Sequence, residues 1–236
     1  MKIVVGLADS GIAPELEHRL LEAQRFEVRD GKVVQMHALP DTLGHGTALS
    51  KIINQYCPEA YFVLAQVIDS RGVCSLPQLR ASIPWLESRS QIINLSLGLS
   101  RQDSQLELIC QKARESGRVL IASSPAIGNP VYPASFDTVY AVTGDINCHP
   151  GHFNKPIIQR KVNAQANLSG CCFRSKEDQE KGKGGSSFAT AHFSGWVAKA
   201  MSQGINEKQW RALLPKQKSA HPLNLLNALE LLGSDK

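Results

Sequence analysis

The sequence has 236 residues, of which 42% are hydrophobic and 20% charged, and its formal net charge is +5. This ordinary globular composition excludes a disordered or fibrous chain, and no apolar run reaches the ~18–20 residues that a membrane-spanning helix needs. No basic stretch is interleaved with stacking aromatic residues, so the charge does not indicate nucleic-acid binding.

Short apolar runs rich in valine and isoleucine predict strands that are buried on both faces. In chain order they cover residues 2–7, 61–67, 92–97, 119–122 and 138–142. Segments with helical spacing alternate with them, at residues 13–24, 46–56, 76–89, 104–116 and 188–203. This alternation predicts an α/β fold, with three αβα layers around a central, mostly parallel sheet. In such folds the functional groups collect at the carboxyl edge of the sheet.

Four further segments complete the predicted organisation. Residues 26–34 predict a β-hairpin, because Asp30-Gly31 tolerates the positive φ of a type I′ turn. Residues 175–184 hold no apolar side chain and predict a mobile loop. Amphipathic helices are predicted at residues 206–214 and 222–232. Neither a repeat nor a linker divides the chain, so residues 1–236 are predicted to form a single domain.

The six cysteines lack the density of a disulfide-stapled scaffold, and no secretion signal precedes them. They predict reduced thiols in a cytoplasmic protein. Cys148, His149 and His152 lie close together, and Cys171-Cys172 could complete a zinc site, but the spacing fits no common zinc pattern. We interpret this stretch as a surface turn with incidental polar residues, and expect no metal or cofactor.

Three short motifs place an acid, a histidine and a serine at the ends of predicted elements. Asp9 follows the opening strand, His45 stands between two glycines where a helix begins, and Ser187 precedes an apolar helical pattern. Each motif alone has a structural explanation, since a carboxylate or a serine before a helix is a common N-cap. His192, further along the last helix, is interpreted as a packing residue.

Together, the three residues point to nucleophilic chemistry. A serine hydroxyl is a poor nucleophile until an imidazole takes its proton, and that imidazole needs a buried carboxylate to fix its tautomer. A serine at a helix N-terminus also gains from the positive end of the helix dipole, and its backbone N–H can face a developing oxyanion.

At these residues the sequence resembles the subtilase family of serine proteases, whose chain order is also Asp, His, Ser. Asp9-Ser10-Gly11 matches the family's aspartate motif and His45-Gly46-Thr47 its histidine motif, and residues 185–192 resemble its serine block. Residues 93–98 resemble the substrate-binding strand, and Tyr132-Pro133 begins a later block. The resemblance implies a subtilisin-like fold, with Asp9 as the orienting acid, His45 as the general base and then acid, and Ser187 as the nucleophile.

The second oxyanion donor has two possible positions. Subtilases supply an asparagine side chain from an Ala-Gly-Asn turn after a strand. Matching Gly128-Asn129 to that turn keeps the donor, whereas matching by strand length places Pro125 or Ala126 there and loses it. We favour Asn129, because Tyr132-Pro133 follows soon after it.

The resemblance also implies how a peptide binds, as an extended strand held by main-chain hydrogen bonds between two protein segments. Val131 is expected near the base of the pocket for the cleaved residue, which favours small or medium apolar side chains. The two segments contribute Gly72, Val73 and Ser75 on one side and Ser96, Leu97 and Gly98 on the other.

Two departures from secreted subtilases point to an intracellular form. Residues 54–59 are too few for the calcium-binding insertion, so no structural calcium is expected there. The first core strand opens the sequence without a propeptide, so the protein is expected to fold unaided.

The predicted function is a serine endopeptidase that matures a specific peptide, such as one that removes a leader from a ribosomally made peptide or a cofactor-bearing subunit. Two alternatives stay open. The same acyl-enzyme could pass its acyl group to an amine, as in a peptide ligase or macrocyclase. Without Asn129 as donor, the domain could instead be a catalytically weak module that binds peptides.

Overall fold

A ten-stranded sheet runs through the part of the chain that the structure, a computed structural model, describes, which is residues 2–156, 167–181, 184–216 and 219–233. Its order is β10-β8-β9-β7-β6-β5-β1-β4-β2-β3. Pairing is parallel from β9 through β2 and antiparallel at both edges. The strands are β1 Val4–Asp9, β2 Leu20–Arg29, β3 Lys32–His37, β4 Tyr61–Gln66, β5 Ile92–Leu95, β6 Val119–Ser123, β7 Tyr140–Asp145, β8 His152–Asn154, β9 Leu168–Cys171 and β10 Leu223–Asn224.

Helices cover both faces of this sheet. Alternate β1 residues separate the two cores: Val5 and Leu7 pack with α1 and α5, whereas Val4 and Ala8 pack with α2 and α3. The predicted three-layer αβα fold with a mostly parallel sheet is confirmed. The helices are α1 His45–Tyr56, α2 Leu76–Glu87, α3 Ser104–Glu115, α4 Lys176–Glu180, α5 Ser186–Ser202, α6 Glu207–Ala212 and α7 Leu225–Gly233.

Most predicted elements are found within three residues of their expected ends, but the helix predicted at residues 13–24 is wrong. Pro14–Arg19 forms a short 3₁₀ helix, and the chain then enters β2, which pairs with β3 and with β4. Only Leu16 of the 3₁₀ helix is buried. Pairing with two neighbouring strands therefore outweighs the helical propensity of this segment.

The hairpin predicted around residues 26–34 is confirmed by β2 and β3. Both strands are longer than expected, and Asp30 and Gly31 form the turn with φ of +48° and +73°. Both residues lie in the left-handed region that a type I′ turn requires.

The loop predicted at residues 175–184 is wrong in its first half, where Lys176–Glu180 forms α4. The Ser175 hydroxyl caps the helix by accepting the Asp178 N–H at 3.1 Å. Arg174 pairs with the buried Asp178 carboxylate at 2.5 and 2.9 Å. Capping and an i,i+4 ion pair stabilise this helix without an apolar face. Residues 182–183 lie outside the described residues.

Across the described ranges, no helix is both long and apolar enough to cross a membrane.

All six cysteines are free, and five of them are buried, whereas Cys74 is partly exposed. We therefore predict that the folded protein exposes a single thiol to an alkylating reagent, and that unfolding it without reductant exposes six. Intact mass after alkylation measures both numbers. Fewer than six modified thiols after unfolding would show disulfides and contradict the predicted reduced state.

Candidate active site

Asp9 and His45 meet at the carboxyl edge of the sheet. Asp9 is the last residue of β1 and is fully buried, and His45 is the first residue of α1. The His45 Nδ1 lies 2.8 Å from Asp9 Oδ1, which also accepts the Ser10 N–H at 2.8 Å. Odd-numbered residues of β1 face α1, so the strand's alternation directs the carboxylate toward the histidine.

The glycines around His45 have separate structural roles. Gly44 adopts a φ of +75°, in the left-handed region, just before α1 begins. Gly46 packs so closely on Gly11 that a Cβ at position 46 would lie 2.1 Å from the Gly11 carbonyl oxygen. This close approach holds the start of α1 against the residues that follow Asp9.

Asp41 organises the first turn of α1. Its Oδ1 accepts the Gly44 N–H at 2.8 Å, and its Oδ2 accepts the Thr47 N–H at 2.8 Å and the Thr47 hydroxyl at 2.7 Å. Burial acts to raise the pKa of Asp41, but these hydrogen bonds from Thr47 and Gly44 lower it on balance. A carboxylate therefore stays ionised close to His45.

The pKa of His45 reflects opposing effects. Burial acts to lower it, but the hydrogen bond to Asp9 and the negative charges of Asp9 and Asp41 raise the pKa of His45 above its ordinary value. The protonated imidazole is thus stabilised, as a group that must accept a proton during a reaction requires.

Ser187 is the second residue of α5, on the same face of the sheet as α1. Its Oγ donates a hydrogen bond to the Ser96 carbonyl oxygen at 3.0 Å. The next residue, Phe188, faces the His45 ring with 6.4 Å between ring centroids. The structure therefore brings Ser187 to the rim that holds Asp9 and His45, with its hydroxyl directed at Ser96. Among the described residues Ser187 Oγ makes no hydrogen bond to His45. In structures without substrate, the hydrogen bond between a serine and its base is often not yet formed.

A buried polar network ties α5 to β5. Asn94 Nδ2 donates to Ser194 Oγ at 2.9 Å, and Ser96 Oγ donates to Asn94 Oδ1 at 2.8 Å and lies 3.3 Å from the Ser187 carbonyl oxygen. Asn94 and Ser194 are fully buried. Satisfied buried networks favour one arrangement of the elements they join, so this network fixes the start of α5 relative to Ser96. No sequence signal singled out Ser194, because a serine inside an apolar helix has no recognisable pattern.

A cavity of about 370 Å³ lies beside His45. Five residues of the two predicted peptide-binding segments line it: Gly72, Val73, Ser96, Leu97 and Gly98. Leu43, Ile68, Cys74 and Leu99 also line it but were not predicted. Cys74 lies between predicted residues Val73 and Ser75, and Leu43 lies two residues before His45. Proximity to the predicted residues could therefore have identified these two.

Three predicted residues are not among those that line this cavity. Ser75 precedes α2, where its N–H and hydroxyl both donate to Gln78 Oε1, at 3.0 and 2.6 Å. Val131 packs on Gly98, since a Cβ at position 98 would lie 2.8 Å from Val131 Cγ2. Asn129 is exposed in the loop after β6, three residues before Tyr132, which pairs with Leu99 through two 2.8 Å backbone hydrogen bonds.

An acid, an imidazole and a serine hydroxyl thus lie beside one cleft: His45 and residues of both segments line it, Asp9 is buried against His45, and Ser187 is hydrogen-bonded to Ser96. Such a set can transfer a proton from a hydroxyl to a base that a carboxylate orients, and the free edges of the cleft can pair with an extended peptide.

The sequence profile of the subtilase family matches residues 1–228. The chain belongs to the subtilase family.

Two relatives illustrate the range of this subtilase's similarities. The minor extracellular protease Epr of Bacillus subtilis (strain 168) is 32% identical over 154 residues, which cover 60% of this chain and 23% of that protein. The thermostable alkaline protease of Halalkalibacterium halodurans is 28% identical over 217 residues, covering 84% of this chain and 56% of that protein. The subtilase described here therefore spans only part of the length of these relatives.

Among solved structures, the epidermin leader peptide processing serine protease of Staphylococcus aureus superimposes with a TM-score of 0.64. The sequences are 15% identical, and the match covers 88% of this subtilase and 67% of that chain. This similarity supports the subtilisin-like fold.

His192 of this subtilase is buried inside α5. One ring nitrogen lies 2.8 Å from the Tyr56 hydroxyl and the other 3.0 Å from the Phe173 carbonyl. Burial lowers the pKa of His192, which keeps it neutral. Both nitrogens are engaged away from Ser187, in agreement with the predicted packing role.

The Cys148 region packs as a small core in this subtilase. Cys148, Cys171 and Cys172 are buried together with Phe173. The rings of His149 and His152 contact each other edge to face, 6.1 Å apart. Within the described residues, no group of three or more His, Cys, Asp or Glu side chains is arranged to hold a metal ion. The interpretation as a surface turn is wrong for Cys148, whose side chain is fully buried.

Proposed function

We propose that this subtilase is a serine endopeptidase whose catalytic residues are Asp9, His45 and Ser187. The 2.8 Å contact between buried Asp9 and the first residue of α1 carries the proposal. The same sheet edge holds the N-terminus of α5 and the cavity beside His45.

In the proposed reaction Ser187 Oγ leaves the Ser96 carbonyl and attacks the peptide carbonyl carbon, while His45 Nε2 takes the hydroxyl proton. Asp9 stabilises the imidazolium that forms. His45 then gives the proton to the leaving amine, which leaves an acyl-enzyme on Ser187. Water, deprotonated by His45, releases the acid and restores the serine.

Asn129 and the Ser187 backbone N–H are proposed to hold the oxyanion. The Asn129 side chain is exposed and makes no hydrogen bond with other described residues, so it is free to turn toward a bound substrate.

We predict that Asn129→Ala lowers kcat by about 10²–10³-fold, because one oxyanion donor is lost. Stability should not change, since the side chain has no partner to lose. Ile127→Ala, in the same exposed loop, is the matched control for loop disturbance. Turnover of Asn129→Ala within about threefold of wild type would show that Asn129 is not the oxyanion donor.

The substrate is proposed to be one particular peptide or protein that is matured, with removal of a leader as the model case. The structural likeness to a leader peptide processing protease supports this substrate class. Six free cysteines support a reducing compartment such as the cytoplasm.

A fluorophosphonate probe tests the proposal directly, because it reacts only with an activated serine. We expect the wild type to be labelled and Ser187→Ala to stay unlabelled. Absence of labelling in the wild type would favour a peptide-binding module. Product masses from a cleaved peptide, which gain water on hydrolysis, distinguish an endopeptidase from a ligase.

A further inference from the structure

A buried glutamine lies next to the proposed catalytic acid, on the same face of the sheet. Gln66 is the last residue of β4 and pairs in register with Asp9, the last residue of β1. Phe62 and Leu64, which share a face of β4 with Gln66, pack in the core formed with α1 and α5. Gln66 is only 6% exposed, and none of the sequence motifs includes it.

The side-chain amide of Gln66 joins two other segments of the chain. Its Nε2 donates one hydrogen bond to the Ser10 carbonyl oxygen at 2.7 Å and another to the Leu39 carbonyl oxygen at 2.8 Å. Its Oε1 accepts the Leu39 N–H at 2.8 Å. These partners fix the orientation of the amide, because a carbonyl oxygen can only accept a hydrogen bond and an N–H can only donate one.

The bond to Ser10 connects Gln66 with the acid. Ser10 follows Asp9 directly, and its N–H donates to Asp9 Oδ1 at 2.8 Å, the same oxygen that contacts His45 Nδ1. The Ser10 hydroxyl accepts the Gly46 N–H at 3.0 Å, in the first turn of α1. A hydrogen bond that holds the Ser10 carbonyl therefore also holds the residue that joins Asp9 to the start of α1.

The bonds to Leu39 connect Gln66 with the loop before α1. The amide pairs with both the N–H and the carbonyl of Leu39, as a neighbouring strand would. In the described ranges, residues 39–43 make no backbone-to-backbone hydrogen bond with another segment. The Gln66 amide therefore anchors this loop to the sheet. Two residues further, Asp41 caps the start of α1, and its charge acts on His45.

From these contacts we infer that Gln66 is a positioning residue for the Asp9–His45 pair. It holds the residue after the acid and the loop before the base against the end of one strand. This inference rests on the proposed function, in which His45 takes the proton of Ser187. Such a residue affects the rate without touching the substrate, since a displacement of about 1 Å in a catalytic group can cost about 10²-fold.

Gln66→Met tests the inference, because methionine has a similar length but can form none of the three hydrogen bonds. The first readout is the pKa of His45, measured by NMR titration of its imidazole in the Ser187→Ala background, which requires no activity. Gln66→Asn keeps the amide on a shorter side chain, and it is the milder variant to use if Gln66→Met does not fold.

The pKa of His45 reports on the position of its charged neighbours. The carboxylates of Asp9 and Asp41 raise it. The Cys74 thiol lines the same cavity but stays neutral, because burial raises its own pKa to about 12. We expect the pKa of His45 to fall toward its ordinary value in Gln66→Met, since the two carboxylates are then held less closely to the ring.

Kinetics give a second readout, with kcat expressed per active site titrated by the fluorophosphonate probe so that unfolded protein is not counted. We expect kcat of Gln66→Met to fall about tenfold, because the pair is displaced. KM should stay within about threefold, because the Gln66 amide is engaged with the protein and not with substrate. A residue that only stabilised the fold would lower Tm and the titrated fraction, and leave kcat per site unchanged.

Gln24→Met is the matched control. Gln24 lies on the neighbouring strand β2, and its Nε2 donates to the Met36 carbonyl oxygen at 2.6 Å, within the hairpin. This variant should leave the pKa of His45 and kcat unchanged. An unchanged His45 pKa in Gln66→Met, or an equal fall in Gln24→Met, would overturn the inference. A fall confined to Gln66→Met, in a protein whose wild type does not react with the probe, would support the positioning role and refute the proposed function.

Discussion

Ser187→Ala is expected to lower kcat by about 10⁶-fold, the size of effect seen when the nucleophile of a triad is removed. The fold should persist, because the variant loses one hydrogen bond, from Ser187 Oγ to the Ser96 carbonyl. Such a bond contributes about 1 kcal/mol to the free energy of unfolding. Steady-state kinetics and thermal unfolding measure the two effects separately.

The double variant Ser187→Ala with His45→Ala sharpens this prediction. Residues that act as one unit are not additive, so the double variant should be no slower than either single one. Ser186→Ala is the matched control, because Ser186 is adjacent and, among the residues that the structure describes, its Oγ accepts only the Gly144 N–H, at 3.3 Å. Ser186→Ala should stay within about threefold of wild type. Wild-type turnover by Ser187→Ala would refute the proposed nucleophile.

Asp9→Asn is expected to lower kcat at neutral pH by about 10⁴-fold. The structure makes this a selective change. Asp9 Oδ1 accepts the Ser10 N–H and contacts His45 Nδ1, whereas the buried Oδ2 has no hydrogen-bond partner among the described residues. If the asparagine oxygen takes the Oδ1 position, it keeps the hydrogen bonds from Ser10 and His45. The NH₂ group then takes the Oδ2 position, where it meets no other hydrogen-bond donor. The main loss is the negative charge that stabilises the imidazolium.

Asp9→Asn should also change the pH dependence of kcat/KM. His45 must be neutral to accept a proton, and its pKa is raised, so the acid limb of kcat/KM for the wild type should lie above about pH 6.5. Removing the Asp9 charge lowers the pKa of His45, so the limb should move to lower pH. Asp41→Asn should move it in the same direction with a smaller loss of kcat, because the negative charge of Asp41 also raises the pKa of His45 but Asp41 makes no hydrogen bond to the ring.

The pH dependence of thermal stability measures the interaction between Asp9 and His45 independently of catalysis. The folded protein holds His45 at a raised pKa, so its contribution to stability is complete below the unfolded pKa of about 6.5 and is lost as pH rises through the folded pKa. Thermal unfolding should therefore separate wild type from Asp9→Asn more at pH 5.5 than at pH 9. A difference that is equal at both pH values would mean that Asp9 does not stabilise protonated His45.

Motifs that occupy a few consecutive residues could be recognised from the sequence. Asp9 and His45 lie at element ends that hydrophobic periodicity also marks, and parallel strands bring their carboxyl ends to one edge. Strands β8 and β9 were not predicted, β10 lies where a helix was predicted, and β3 was predicted only in part, because short or half-exposed strands carry little periodic signal. At residues 13–24 the opposite error occurs: the sequence has a helical pattern, but pairing with neighbouring strands makes its second half part of β2.

The sequence by itself determined the order of layers, the family and the residue types of the proposed triad, because those depend on local pattern and on the spacing of short motifs. Only the tertiary structure decided which distant residues contact each other or line the same cavity. The Asn94–Ser194 contact joins residues a hundred positions apart, and a cavity of about 770 Å³ is lined by the β2–β3 hairpin, the loop before α1 and the segment before α2. Contacts of this kind depend on how layers pack, and packing is set by shape complementarity across the whole core rather than by any single segment.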